Sequence, residues 1–347
     1  MTDSARSSPF AATITGTGRA FPEKRLTNAD IVSQLGAKGI ETSDEWIRER
    51  TGIGERRIST DGLDTETNSA LCARAAFAAL EMAGKKPTDI DMILSGTCTP
   101  DTMIPSVACW IQNRIGAKNA WGFDLNAACS GFLYAMAVAD QFIKSGHART
   151  VLVTGSDVLH PFVDYDDRSS CILFGDGAGA LVVERTDAND PHRIYSSHLS
   201  SDGTLWDLFS MPGGGSKDRT GRQVMTMKGR DVFKEATRTM AELSEVTLTH
   251  NQLDPNDLNW FITHQANIRI IEAVAKRMDF PMERVLTNID RYGNTSSGTV
   301  PTVLDENVRS GKIRKGDWIL LSVFGAGLTS GSLLLRWGAS LGGDKRT

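Results

Sequence analysis

The stretch FDLNAACSGFLYAMAVADQF, residues 123–142, decides how this chain is read. A strand-like run ends in Ala127 and Ala128, Cys129 follows, and small residues then open an apolar helix. A strand that gives way to a helix through so tight a turn is the building unit of an α/β fold. A cysteine at that turn is either a small packed hydrophobe or a nucleophile. Unpaired N–H groups and the dipole at a helix N-terminus stabilise an anion, so this position predicts a lowered thiol pKa. The small neighbours Ala127, Ala128, Ser130 and Gly131 leave room for a bulky electrophile.

Strand-like and helix-like segments alternate on both sides of this unit, which predicts an α/β protein with a largely buried sheet. IDMILSG (Ile90–Gly96) reads as a buried strand, and Pro105 suits the start of the helix PSVACWIQNRIG. AWGFDLN and RTVLVTGSDV are the next strands, with a helix over Ser130–Ser145 between them and Gly146 as its end. CILFGDGAGALVVE reads as strand, glycine-rich bend, strand. The order then recurs: LNWFITHQANIRIIEAVAKRM is strand, turn, helix, and DWILLSVFGAGLTSGSLLLRW is strand, bend, strand. This pairing puts His264 at the turn that Cys129 occupies in the first half, so both would face the middle of a pseudo-twofold fold. The halves run over residues 1–187 and 188–347 with no linker between them, and Ser200–Asp218 reads as a long connecting loop.

Composition bounds the function. With 347 residues the chain can build a large core, and 40% hydrophobic against 23% charged residues is ordinary for a soluble protein. No apolar run reaches the ~18 residues needed to span a membrane, and MTDSARSSPF has no apolar signal core. A net charge of −4 argues against a general nucleic-acid binder. The five cysteines are irregularly spaced and include no Cys-x-x-Cys pair, which fits reduced thiols in a cytoplasmic enzyme without a metal site.

Two more residues stand out. His264 begins a polar turn, His-Gln-Ala-Asn, inside an otherwise apolar chain, whereas the other histidines (His147, His160, His192, His198, His250) sit in polar or loop contexts and read as surface residues. Asn294 lies in RYGNTSSGTVP, where Gly293-Asn294 signals a turn but the following run leads into a helix-like segment instead of a second strand. The bends at Gly16 and Gly175 lack the full dinucleotide fingerprint and read as structural turns.

Cys129, His264 and Asn294, in this order and with these flanks, resemble the β-ketoacyl-acyl-carrier-protein synthase III family of the thiolase superfamily. The resemblance runs from about Ile14 to Trp337 and rests on TSDEWIRERTGI, AACSGF, FGDGAGA, THQANIRI, YGNTSSGTVP and FGAGLTSG together. It implies a duplicated, five-layered αβαβα thiolase-like fold, a homodimer, and no metal or tightly bound cofactor. It also implies a mechanism. Cys129 would attack a short-chain acyl-CoA, with the backbone N–H groups of Cys129 and Gly327 as the oxyanion hole. Malonyl-acyl-carrier protein would then decarboxylate against neutral donors from His264 and Asn294, and its carbanion would attack the acyl-enzyme.

Other positions carry over by motif. Trp46 and Arg50 would hold the CoA adenine end with Arg168 alongside; Gly229, Phe233, Ala266 and Asn267 would line the pantetheine tunnel. Arg230, Lys234 and Arg238 share a helix face, and with Arg269, Lys276 and Arg277 resemble a docking patch for the acidic carrier protein. Ile104 would reach across the dimer into the partner's acyl pocket. Ser169, and Ser297 with Gly298 where alanines are usual, depart from the family pattern. The departures keep a second class in view, a relative in secondary metabolism that transfers acyl groups to other acceptors. A non-catalytic scaffold has no need of all three of Cys129, His264 and Asn294.

Overall fold

The computed structural model describes residues 8–60 and 62–339; most of the N-terminal stretch MTDSARSSPF lies outside them. Two sheets organise the chain. The first has five strands in the order Phe10–Ala20, Gly177–Asp187, Thr150–Asp157, Met92–Gly96, Trp121–Leu125. The second has four, in the order Ile194–Ser201, Thr329–Arg336, Trp318–Gly325, Trp260–Thr263. Within each sheet the three strands from Met92, Thr150 and Gly177, or from Trp260, Trp318 and Thr329, pair parallel and then antiparallel. The strand Met92–Gly96 therefore corresponds to Trp260–Thr263. The place of Trp121–Leu125 is taken in the second half by a single parallel bridge, Phe261 to Val285.

Between the sheets lie two helices, Gly131–Lys144 and Thr299–Arg309, each packed on strands of both halves. Their composition explains the position: Phe132, Leu133, Met136 and Ile143 of one, and Val300, Val303, Leu304 and Val308 of the other, all enter one core shared with both sheets. A helix apolar on so much of its circumference is stable only when covered on both sides. The helices Asn68–Ala83 and Val107–Ile115 cover the outer face of the first sheet, and Gly229–His250 and Ile268–Arg277 that of the second. The result is a five-layered, duplicated thiolase fold.

Three readings change. Cys171–Leu173 forms turns, and the strand of that segment begins at Gly177. The segment read as a loop from Ser200 instead holds the end of a strand, a 3-10 turn at Gly203–Leu208, and a short strand at Phe209–Ser210 paired with Thr226–Met227. The third concerns the repeat. Because Trp260–Thr263 corresponds to Met92–Gly96, His264 is the counterpart of Thr97, and the turn equivalent to that of Cys129 is Asn294–Gly298. Both turns run through a 3-10 segment, Ala128–Ser130 or Ser296–Gly298, into a central helix. Matching by strand, turn and helix alone missed this, since the second half lacks the strand that precedes Cys129 in the first.

Candidate active site

Cys129 sits at the first of these turns, buried with 7% exposure. The side chain of Asn126 accepts the N–H of Ala128 at 3.2 Å, and Ala128 takes a left-handed φ of 45°. That conformation costs a non-glycine residue of order 1 kcal/mol or more, and it sharpens the turn that presents the thiol. Gly325 closes on it from the second sheet: a Cβ there would lie 2.9 Å from the backbone N of Cys129, so only glycine fits.

Asn294 and His264 come to the same cleft from different elements. Asn294 is tied by its backbone, which donates to Leu173 O at 2.9 Å and accepts from Gly175 N–H at 3.0 Å. Its Oδ1 accepts the N–H of Ser296 at 2.8 Å, so the oxygen end of the amide is occupied and the NH2 end is left for the cleft. His264 follows the strand Trp260–Thr263 and donates its backbone N–H to Ser322 O at 2.8 Å. Its ring meets Thr299 Oγ1 through Nδ1 at 2.8 Å. Burial alone lowers the His264 pKa to about 3, so the imidazole is neutral at physiological pH.

The thiol departs from expectation. Burial pushes Cys129 up to about 12, opposed by the Ser296 hydroxyl and reinforced by the negative charge of Asp157. The helix N-terminus does not offset this loss of hydration, because the buried thiol gives up more solvation than the turn returns. Ser296 Oγ lies 3.3 Å from Cys129 Sγ and donates to it. Ser296 and Thr299 are the polar groups that reading the sequence missed, although both stand inside the motif that drew attention to Asn294.

Two cavities meet at Cys129. One, of about 260 Å³, is lined by Cys129, His264 and Asn294 at its floor and by Trp46, Arg50 and Arg269 toward its rim. Gly229, Phe233, Ala266 and Asn267 line its walls. The second, of about 230 Å³, lies beyond the sulfur against Cys98, Leu159, Phe174, Phe209, Met211 and Met225. In the glycine-rich bend, Gly325 lines the first cavity and Ala326 the second, while Gly327, one residue further along, lines neither.

The outer positions divide. Arg50 and Arg168 both lie over the Trp46 ring, at 4.8 and 4.5 Å from its centroid, but Arg168 does not line the cleft and its neighbour Ser169 does. Arg230, Lys234, Arg269, Lys276 and Arg277 are exposed and none is paired with a carboxylate among the described residues. Arg238, on the same helix face, is paired instead with Glu235 and Glu242, each at 2.7 Å. Ile104 is 85% exposed beside an equally exposed Met103 and reaches neither cavity of its own chain. Of the histidines read as surface residues, His160 instead bonds the buried Asp176 at 2.7 Å and His198 bonds Thr247 at 2.9 Å. Among the described residues no helix is long and apolar enough to cross a membrane.

Known proteins match this chain along nearly its whole length. The family described as 3-oxoacyl-[acyl-carrier-protein (ACP)] synthase III matches residues 123–203, and its C-terminal family matches 248–337. A β-ketoacyl-[acyl-carrier-protein] synthase III of Xanthomonas campestris pv. campestris is 49% identical over 328 residues, covering 93% of this chain and 98% of the relative. The crystal structure of 3-oxoacyl-[acyl-carrier-protein] synthase III from Aquifex aeolicus superposes with a TM-score of 0.87 at 42% identity, covering 94% of this chain and 100% of that one. A priming β-ketosynthase from a polyketide biosynthetic pathway gives the same TM-score at 34% identity, covering 96% of this chain and 98% of that one.

Proposed function

This chain belongs to the β-ketoacyl-acyl-carrier-protein synthase III family, and from that premise we propose how its residues carry out the reaction. It is an acyltransferase, the initiating condensing enzyme of fatty-acid synthesis. The substrates are a short-chain acyl-CoA and malonyl-acyl-carrier protein, and the enzyme works in the cytoplasm as a homodimer without a metal or tightly bound cofactor. One observation carries the site assignment: the Asn294 amide is locked by Ser296 so that its NH2 faces the cleft holding Cys129 and a neutral His264.

In the first half-reaction Cys129 Sγ bonds to the acyl carbonyl carbon, the bond from that carbon to the CoA sulfur breaks, and the thiol proton ends on CoA. Because burial holds the Cys129 pKa near 12, that proton leaves during the attack and no standing thiolate precedes it. The N–H groups of Cys129 and Ala326 hold the oxyanion. CoA lies along the larger cavity, its adenine at Trp46, where it displaces a guanidinium of Arg50 or Arg168. The acyl chain fills the second cavity, which at about 230 Å³ falls below the roughly 300–1,000 Å³ of drug-sized sites and suits a short chain. Ile104 of a second subunit completes its wall.

In the second half-reaction the malonyl C–C bond breaks, CO2 leaves, and the electron pair moves into an enolate whose oxygen accepts from Asn294 and His264. Neither donor is acidic, so neither quenches the carbanion. The carbanion bonds to the acyl carbonyl carbon, the bond from that carbon to Cys129 Sγ breaks, and the departing sulfur takes a proton from solvent to restore the thiol. Arg230, Lys234, Arg269, Lys276 and Arg277 receive the acidic carrier protein; since Arg269 also lines the cleft, Lys276 and Arg277 isolate docking. Reversing both to Glu should raise KM for malonyl-acyl-carrier protein roughly tenfold, in a salt-dependent way, and spare acyl-CoA loading.

The deciding experiment is intact mass after incubation with acetyl-, isobutyryl-, butyryl- and octanoyl-CoA, followed by a malonyl-acyl-carrier-protein chase. An adduct on Cys129 that disappears as 3-ketoacyl product forms is expected and names the primer. An adduct that survives the chase moves the chain to the specialised acyltransferases. His264→Ala and Asn294→Ala should still acylate but lose roughly 10²–10³ in decarboxylation; full activity in either removes that residue from the mechanism.

A further inference from the structure

We propose that Arg56 is a positioning residue for Asn294: its guanidinium fastens the segment 172–176, and that segment carries the Asn294 backbone. The inference rests on the reading of Asn294 as a donor to the enolate, and it names what holds the amide in place. Arg56 lies in the short strand Glu55–Arg57 and is fully buried. Its Nη1 donates to Leu26 O at 3.3 Å and to Asn28 Oδ1 at 2.8 Å, and its Nη2 donates to Ile172 O at 2.5 Å. The segment is gripped at its other end too, since the N–H of Asp176 donates to Arg57 O at 2.8 Å. Asn294 is attached between the two grips: its N–H donates to Leu173 O, and its carbonyl accepts from Gly175 N–H. The arginine stem fills the space behind this attachment. A Cβ on Gly175 would lie 2.9 Å from the Arg56 Cβ, and one on Gly293 would lie 3.3 Å from it.

The choice of an arginine needs a reason, because a buried charge without a counter-charge is costly. Among the described residues no carboxylate pairs with Arg56; it is linked to one only through Asn28, whose side-chain amide donates to Asp44 Oδ1 at 2.7 Å. Its Nε has no hydrogen-bond partner among the described residues. Burial lowers the Arg56 pKa to about 10, which leaves the group charged at physiological pH. An apolar side chain of like length would fill the same space without that cost, so packing alone does not explain the residue. What the guanidinium adds is a rigid fork that reaches two separate pieces of backbone at once. One is Leu26 in the neighbouring strand, and the other is Ile172, whose carbonyl has no other donor among the described residues. Without the fork the 172 end of the segment keeps only its own turn bonds, and Asn294 shifts with it. Cys129 is carried by a different turn and keeps its place.

The test separates the half-reactions. Arg56→Met keeps the stem and removes every donor; Arg56→Lys keeps the charge on a compact ammonium that cannot span both carbonyls. Acyl loading is followed by intact mass, and decarboxylation by CO2 release from malonyl-acyl-carrier protein. In both variants kcat for decarboxylation should fall roughly 10–100-fold, the scale of a displacement near 1 Å, with KM little changed and loading slowed far less. In an Asn294→Ala background the same substitutions should slow decarboxylation no further. Equal losses in both half-reactions, losses that add to that of Asn294→Ala, or full activity with lysine would overturn the proposal. Hydrogen exchange reads the clamp directly: in Arg56→Lys the N–H groups of Gly175 and Asn294 should exchange severalfold faster while those of the strand Thr150–Asp157 do not. Unchanged exchange at Gly175 and Asn294 overturns the proposal, and so does failure of both variants to fold, which would make Arg56 a folding residue. Asn294→Ala alone serves as the control. If it loses decarboxylation while Arg56→Lys keeps it, only this proposal fails; if it keeps decarboxylation, the reading beneath it fails.

Discussion

The turns Asn126–Ser130 and Asn294–Gly298 are built alike and used differently. In each, an asparagine side chain accepts the N–H two residues on, at 3.2 Å in the first and 2.8 Å in the second. The residue that donates it, Ala128 or Ser296, then takes a left-handed φ of 45° or 51°. Each turn leads through a 3-10 segment into one of the two central helices. The chemistry is split between them. The position after the left-handed residue is Cys129 in one turn and Ser297 in the other, and Ser297 Oγ is committed to the N–H of Phe132 at 2.8 Å, holding the start of the helix behind Cys129. The asparagines diverge too, since Asn294 lines the cleft that opens past Trp46 whereas Asn126 lines the inner cavity. Duplication has supplied two elbows of one design, one carrying the proposed nucleophile and the other the proposed amide donor. Ser296 Oγ and Cys129 Sγ, 3.3 Å apart, are where they meet.

The largest effect that tests this division is at the nucleophile. Cys129→Ala should abolish acyl loading and drop turnover by roughly 10⁴-fold or more, with an unchanged melting profile; any adduct that remained would place the nucleophile elsewhere. Next comes Gly325→Ala, whose new Cβ would sit 2.9 Å from the N of Cys129, Ser130 and the O of Ala127 alike. Acylation should fall roughly 10²-fold as the oxyanion site is distorted, measured by single-turnover loading; an unimpaired rate would exclude the Cys129 N–H as a donor. The counterpart of the first experiment is Ser297→Ala, which should cost about 1–2 kcal/mol in denaturant unfolding, because a buried N–H of Phe132 loses its acceptor. Its loading rate should stay within severalfold of native, and a collapse comparable to that of Cys129→Ala would show that the second turn shares in the chemistry.

Much of this was legible in the residues. Two halves of one topology follow from the recurring strand and glycine-rich bend patterns; Cys129 and His264 stand out because each sets a reactive side chain at the end of an apolar strand, and Asn294 because its turn leads into a helix instead of a second strand. Two things were hidden. Pairing His264 with Cys129 followed local pattern, and only strand order reveals that Trp260–Thr263 matches Met92–Gly96. The truer signal was Asn-x-small-Cys-Ser against Asn-x-Ser-Ser-Gly, five residues that look like an ordinary turn until both copies are seen to start a buried helix. Burial was hidden as well. A helix N-terminus argues for a low thiol pKa in any sequence, but desolvation depends on what the other half brings over the sulfur, and here it wins. The bend at Gly325–Gly327 shows the same limit at finer scale, since neighbouring residues in one glycine-rich run face different cavities and spacing alone does not say which.

The smallest expected effect probes the geometry that the turns share. Ala128 and Ser296 both hold a left-handed backbone that glycine adopts freely. Relief of that conformation is worth about 1–2 kcal/mol, part of which glycine returns through the greater freedom of its unfolded chain. Ala128→Gly should therefore stabilise the fold by roughly 0.5–1 kcal/mol, read from the denaturant midpoint. Ser296→Gly relieves the same conformation but gives up the hydroxyl that donates to Cys129 Sγ, a bond whose loss offsets about as much, so its midpoint should barely move. The loading rates should order the other way: near native for Ala128→Gly, and severalfold slower for Ser296→Gly, whose thiol has lost the one hydroxyl that favours its ionised form. If both substitutions stabilise equally and neither slows loading, the contact between the two turns is only packing. If Ala128→Gly slows loading while Ser296→Gly does not, the left-handed residue before Cys129 is what aims the thiol, and the strain at that turn serves catalysis in a way its twin does not.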